Sequence, residues 1–181
     1  MDWLDEVRIK LKRKKQVLFA KDSAFLQDLA VLFREQNHRT IVLWAMDLAA
    51  ASVAELEEKY PDETRPREAL EAAWAWAEGK IKMRPAQRKI LDCHAFAKEL
   101  DSKADIALCH AVGQACAVVH TAGHAMGYPM YELSAIVYRL GVEDCREAVE
   151  QRKQAYIQKL FYWNEHVGDY EGKWADFMLK G

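Results

Sequence analysis

Glycine and proline are scarce in this chain, at 8 and 4 of 181 residues. A fold made of many tight turns draws on both, so a turn-rich all-β architecture is excluded. Close cysteine pairs are missing too. The four cysteines stand at 93, 109, 116 and 145 with no C-x-x-C spacing, which points to free thiols. The opening Met1-Asp2-Trp3-Leu4-Asp5-Glu6 is acidic where a secretory leader carries basic residues. With free thiols, that makes a cytoplasmic location the expectation. Positive charge is not in excess either: 26 Lys and Arg against 28 Asp and Glu leave a net charge of −2. A non-specific nucleic-acid binder needs a strong positive field, so nucleic acid is not an expected partner. No repeat, low-complexity segment or cofactor motif is present, and no cofactor is expected. What remains is an ordinary globular composition, 51% hydrophobic and 30% charged, of a length that suits one domain with or without an appended arm.

The longest gap in charge is Ile106 to Tyr131, 26 residues without Asp, Glu, Lys or Arg. That length could cross a bilayer. However, the run holds His110, Gln114, His120, Thr121 and His124, is rich in alanine, and ends at Gly127-Tyr128-Pro129. A lipid-facing helix would not carry three imidazoles without strong reason. The run therefore reads as the buried central helix of a bundle, not as a membrane span.

The apolar period is helical nearly throughout, and the expected fold is an all-α, compact bundle of about eight helices. Leu4, Val7, Leu11 and Leu18 form the stripe of the first helix. The second runs from Ser23, as N-cap, to Gln36. The third spans about Arg39 to Tyr60, and its first half, Ile41 to Leu48, is apolar on every side except at Asp47. Pro66 opens the fourth, which stops near Gly79. The fifth covers about Pro85 to Leu100. The sixth, capped by Asp101-Ser102, runs from Lys103 to Met126, where Gly127-Tyr128-Pro129 breaks it. The seventh ends at Gly141. The eighth runs from about Glu143 to Trp163. Residues 1–36 are expected to form an N-terminal helical arm, 37–163 the main domain, and 164–181 an aromatic tail packing back through Trp174 and Phe177.

On a helical wheel the sixth helix gathers Cys109, His110, Gln114, Cys116, His120, Thr121 and His124 into one arc. A solvent face would use Lys and Glu, so this arc faces other protein groups or a small cavity. The first reading is a hydrogen-bonded core network around His110, Gln114, His120 and His124. The second is a metal site from Cys116, His120 and His124. It needs further ligands such as His94, Asp92 or Cys93, because i to i+8 spans about 12 Å. The third is a catalytic Cys116–His120 pair. The fourth is a ligand pocket of unassigned kind.

Asp47 in an apolar helix calls for a cation, and Arg39, Arg65 or Arg67 is the expected partner in a buried clasp. Charge is uneven along the chain. Residues 1–21 carry seven basic and three acidic side chains, and residues 47–71 eight acidic and three basic. Each segment reads first as a solvated face. The sharper reading sets the basic arm against an acidic partner or a second copy of the chain, a homo-oligomer. It sets Glu55, Glu57, Glu58, Asp62 and Glu63 against a basic protein such as a nuclease-type toxin.

Several motifs carry a resemblance. They are His38-Arg39; Leu43-Trp44-Ala45-x-Asp47; Glu58-Lys59-Tyr60-Pro61-Asp62-x-x-Arg65-Pro66-Arg67; Trp76-Ala77-x-Gly79-Lys80-Ile81; and Ala115-x-Ala117-x-x-His120-x-x-Gly123-His124-Ala125. Over about residues 37–140 the chain resembles the bacterial immunity proteins grouped after the fifth class of such proteins. The resemblance implies an all-helical protein that neutralises a cognate toxin by stoichiometric binding, with no catalytic residues to carry over. The alternative from the residues themselves is a metal- or small-ligand-binding bundle using the Cys/His seam.

Overall fold

The apolar run at 41–48 forms the first half of the longest helix. In the computed structural model, which describes residues 1–181, that helix is α3, His38–Lys59. Asn37 caps it, its side-chain oxygen accepting from the Thr40 N–H at 2.9 Å. Ile41 through Met46 are all buried, as an apolar surface on every side requires. Around α3 stand α1 (Trp3–Lys12), α2 (Gln27–Arg34), α4 (Arg65–Ala77), α5 (Met83–Ala97), α6 (Lys103–Ala117), α7 (Gly127–Leu140) and α8 (Arg146–His166). The protein is an all-α bundle with α6 at its centre, packed against α3, α4, α5 and α7. No helix is long and apolar enough to cross a membrane.

Alanine lets α6 occupy that position. Ala104, Ala107, Ala111 and Ala115 are buried, and small side chains allow neighbouring helices to approach closely. Ser102 supplies the N-cap, accepting from the Asp105 N–H. The helix ends at Ala117, nine residues before the expected stop. A tertiary contact explains this. His38 Nε2 sits 2.6 Å from the Val118 carbonyl oxygen, at the first residue past the helix. Val118 and Val119 turn into the core, and a 3-10 turn at Ala122–His124 follows. Gly127-Tyr128-Pro129 does not break a helix but opens α7. Pro129 lies in the first turn, where its missing N–H costs nothing.

Other boundaries differ in smaller ways. α1 stops at Lys12, and Lys14 takes a left-handed φ of 53°. Leu18 is therefore buried by the segment beyond the helix, not by its stripe. Ser23 does not cap α2. Its hydroxyl donates to Glu6, and a 3-10 turn at Ala24–Leu26 intervenes. Trp3, Val7, Leu18, Phe19, Leu26 and Leu29 belong to the same core as α3. In the tail, the residue that inserts fully is Met178, while Phe177 stays 39% exposed. The Ala175 N–H donates to the Ala77 carbonyl at 2.8 Å, which ties the tail to α4.

Candidate functional site

The carboxylates read from the sequence gather where α3 ends and the Tyr60–Thr64 turn leads into α4. Three of them are held by arginines. Glu55 accepts from Arg139 at 2.7 Å. Glu57 accepts from Arg67 at 2.5 and 3.2 Å. Glu63 accepts from both Arg65 Nε and Nη2 at 2.8 Å, and from the Arg65 N–H. Arg65 also reaches Glu99 at 2.5 Å and covers the Phe96 ring. These hydrogen bonds hold the Glu57 and Glu63 carboxyls below their usual range, so both stay charged. Glu58 and Asp62 are exposed and belong to no ion pair.

Beneath this surface lies Asp105, only 2% exposed. Lys59 donates to it at 2.7 Å and the Tyr60 hydroxyl at 2.5 Å. Burial pushes the Asp105 carboxyl up, but Lys59, Tyr60 and Ser102 together bring it below its ordinary value. In return, the bond to Asp105 and burial raise the Tyr60 phenol to about 12.

The arginine clasp expected at Asp47 does not form. Arg65 and Arg67 are taken by Glu63 and Glu57, and Arg39 is in no ion pair. Asp47 faces α8 instead, accepting from Lys159 Nζ at 2.8 Å and Trp163 Nε1 at 3.0 Å. Its side chain is one-third exposed, so it is not the buried charge the apolar run suggested.

The imidazole seam divides into an inner and an outer part. His94 Nδ1 and His110 Nδ1 lie 2.7 Å apart, a geometry that needs one shared proton. The rings stack at 5.0 Å, with Tyr131 beyond His110 at 5.2 Å. Burial lowers His94 to about 4, helped by the neighbouring His110, and burial lowers His110 as well. Both are neutral at pH 7. The outer part is not an enclosed network. His120 is exposed and stacks on Trp76, and His124 reaches Gln114 only at 3.4 Å. These residues, with His94, Leu91 and Ala117, line an open cleft of about 360 Å³. The break after Ala117 causes the split, because residues past it leave the wheel on which the single arc was drawn.

Cys116 lies on the opposite side of this division. It is fully buried and its thiol is pushed up to about 12 by burial. With His120 at the surface, they form neither a nucleophile–base pair nor a ligand pair. No three His, Cys, Asp or Glu side chains are placed to hold a metal ion.

The most connected polar group is one the sequence reading passed over. Glu132, on α7, is 8% exposed. Its Oε1 accepts from the Tyr156 hydroxyl at 2.6 Å and from Arg152 Nε at 2.5 Å. Its Oε2 accepts from the Tyr128 hydroxyl and from Arg152 Nη2 at 3.1 Å. Ser52 Oγ lies 2.8 Å from Tyr128 Oη. Burial, then the Glu132 charge, holds both phenols protonated far above their usual range. Every lone-pair direction of the carboxylate is used, so this hub joins α3, α7 and α8 and leaves no open valence for chemistry. The signal was available: Glu132 is the sole carboxylate of α7, four residues after Tyr128, and Arg152 and Tyr156 share the same spacing on α8.

A family model described as Imm-5 like putative immunity protein matches residues 31–159, about seven-tenths of the chain. The chain belongs to this immunity protein family. No curated protein and no solved structure matches it. The match takes in α3 to α7 and the first two-thirds of α8, and so the carboxyl-rich end, the imidazole cleft and the Glu132 hub. Three of the five motifs that carry the resemblance fall at two of these places, while His38-Arg39 and the Leu43 to Asp47 motif lie elsewhere on α3. Tyr60 to Arg67 build the carboxyl-rich end, while Trp76, Ala117, His120 and His124 line the cleft.

Proposed function

We propose that this chain is an immunity protein that neutralises a cognate bacterial toxin by stoichiometric binding in the cytoplasm, without catalysis. The contact surface in this reading is the carboxyl-rich end formed by Glu55, Glu57, Glu58, Asp62 and Glu63, and the partner is a basic protein of nuclease type. Membership of the family supports the class of function. The observation that carries the choice of surface is the pairing pattern. Glu57 and Glu63 are fixed in place by arginine forks, while Glu58 and Asp62 stand unpaired and exposed beside them. Positioned carboxylates need little reordering on binding, and unpaired ones steer a basic surface into register. The rigid bundle beneath supplies the scaffold such a binder requires.

The test is protection in cells. The toxin is taken as the product of the neighbouring gene and expressed with this chain or with its Glu58→Lys/Asp62→Lys variant. The wild-type chain restores growth and the double variant does not, although both accumulate equally. Growth arrest despite abundant wild-type chain contradicts toxin neutralisation. Equal protection by the variant contradicts the chosen surface.

A further inference from the structure

A second cleft, of about 280 Å³, lies between α2, the start of α3 and the 3-10 turn at Ala122–His124. Phe33, Ile41 and Met126 give it apolar walls, and Lys21 and Arg34 are its two charged residues. No carboxylate lines it. Both cations are exposed. Neither is engaged in an ion pair, whereas the arginines on the carboxyl-rich end, Arg65, Arg67 and Arg139, all are. Two unneutralised cations beside an apolar hollow select one chemistry, an apolar body ending in a single carboxylate. A guanidinium can take such a carboxylate through two parallel hydrogen bonds, while the hollow removes the hydrocarbon from water. The volume sits just under the ~300–1,000 Å³ typical of small-molecule sites, which restricts the ligand to a small one.

We propose that this cleft is a binding site for a small apolar monocarboxylate, with Lys21 and Arg34 on the carboxylate and Phe33, Ile41 and Met126 on the hydrocarbon. The site is separate from the carboxyl-rich end, since Ile41 and Glu58 stand about 25 Å apart along α3. It does not rest on toxin binding, and either can fail without the other.

Titration calorimetry of the full chain with sodium octanoate tests this, with 1-octanol and octylammonium chloride as comparison arms. Two variants accompany it. Lys21→Glu/Arg34→Glu reverses both exposed charges. Gly123→Leu adds an apolar side chain at the cleft's lining, where a Cβ would meet only Thr121 Oγ1, at 3.7 Å. The expected result is saturable one-to-one binding of octanoate, at least ten-fold weaker binding of octanol and none of octylammonium. Both variants lose octanoate while melting as the wild type does. Absence of saturable octanoate binding, octanol binding as tightly, or retention of octanoate by the charge-reversed variant would overturn the proposal.

Discussion

Glu132→Gln is the perturbation to which the scaffold should be most sensitive. The carboxylate accepts from Tyr128, Tyr156 and two nitrogens of Arg152. Glutamine keeps the shape but replaces one accepting oxygen with a donor and removes the charge. Arg152, with its side chain 28% exposed, is left without a counter-ion, and one phenol or guanidinium N–H faces another donor. Breaking a buried ion pair from one side costs about 3–5 kcal/mol. The partial exposure of Arg152 places this case at the lower end, about 3 kcal/mol. For a chain of this length that lowers Tm by about 6–12 °C. Urea unfolding at pH 7 reads the loss directly, and a double-mutant cycle with Tyr156→Phe reads its origin. Alone, Tyr156→Phe removes one hydrogen bond to a charged acceptor, about 1.5–3 kcal/mol. In the Glu132→Gln background it should cost less than half as much, because the two act through one network. A loss under about 1 kcal/mol for Glu132→Gln, or an equal Tyr156→Phe cost in both backgrounds, would refute the hub.

The lowered His94 makes stability fall with acid. A ring that is neutral in the fold and ionises near 6.5 when unfolded contributes fully above pH ~6.5, and its contribution is lost as pH falls toward about 4. Chemical denaturation across that window should show the decline, and His94→Gln should make it shallower. Asp105, whose carboxyl is lowered in the fold, stabilises above its unfolded value of about 3.9, and this is lost as pH falls through the folded value. Asp105→Asn should be less stable at pH 7 but less sensitive below pH ~4 in the same assay. Gly113→Ala places a Cβ 2.3 Å from His94 Nε2. Overpacking of about 1–3 kcal/mol should outweigh a helix gain of up to about 1 kcal/mol, and imidazole NMR signals should show His94 and His110 parting.

The helices were legible because the apolar period is strong, and α3 was read nearly to the residue. The end of α6 was not, because no glycine or proline marks Ala117–Val118. It is set by His38, 80 residues away in sequence. Proline at 129 signalled a break by composition, yet a first-turn proline begins a helix equally well. Asp47 was matched with arginines near it in sequence, while its real partner, Lys159, stands 112 positions away. The acidic segment was visible as a count of charges. That arginines hold Glu55, Glu57 and Glu63 and leave Glu58 and Asp62 free is a tertiary fact. The Glu132 hub was not legible as a whole because its partners, Ser52, Tyr128, Arg152 and Tyr156, meet only when α3, α7 and α8 pack together.

The most direct measurement is the affinity of the purified chain for its toxin at two salt concentrations, for the wild type and for Glu58→Lys/Asp62→Lys. One-to-one binding that weakens with salt, and weakens by about ten-fold or more on charge reversal with Tm unchanged, is the predicted result. Binding indifferent to both salt and the two substitutions would contradict an electrostatic lock at the carboxyl-rich end.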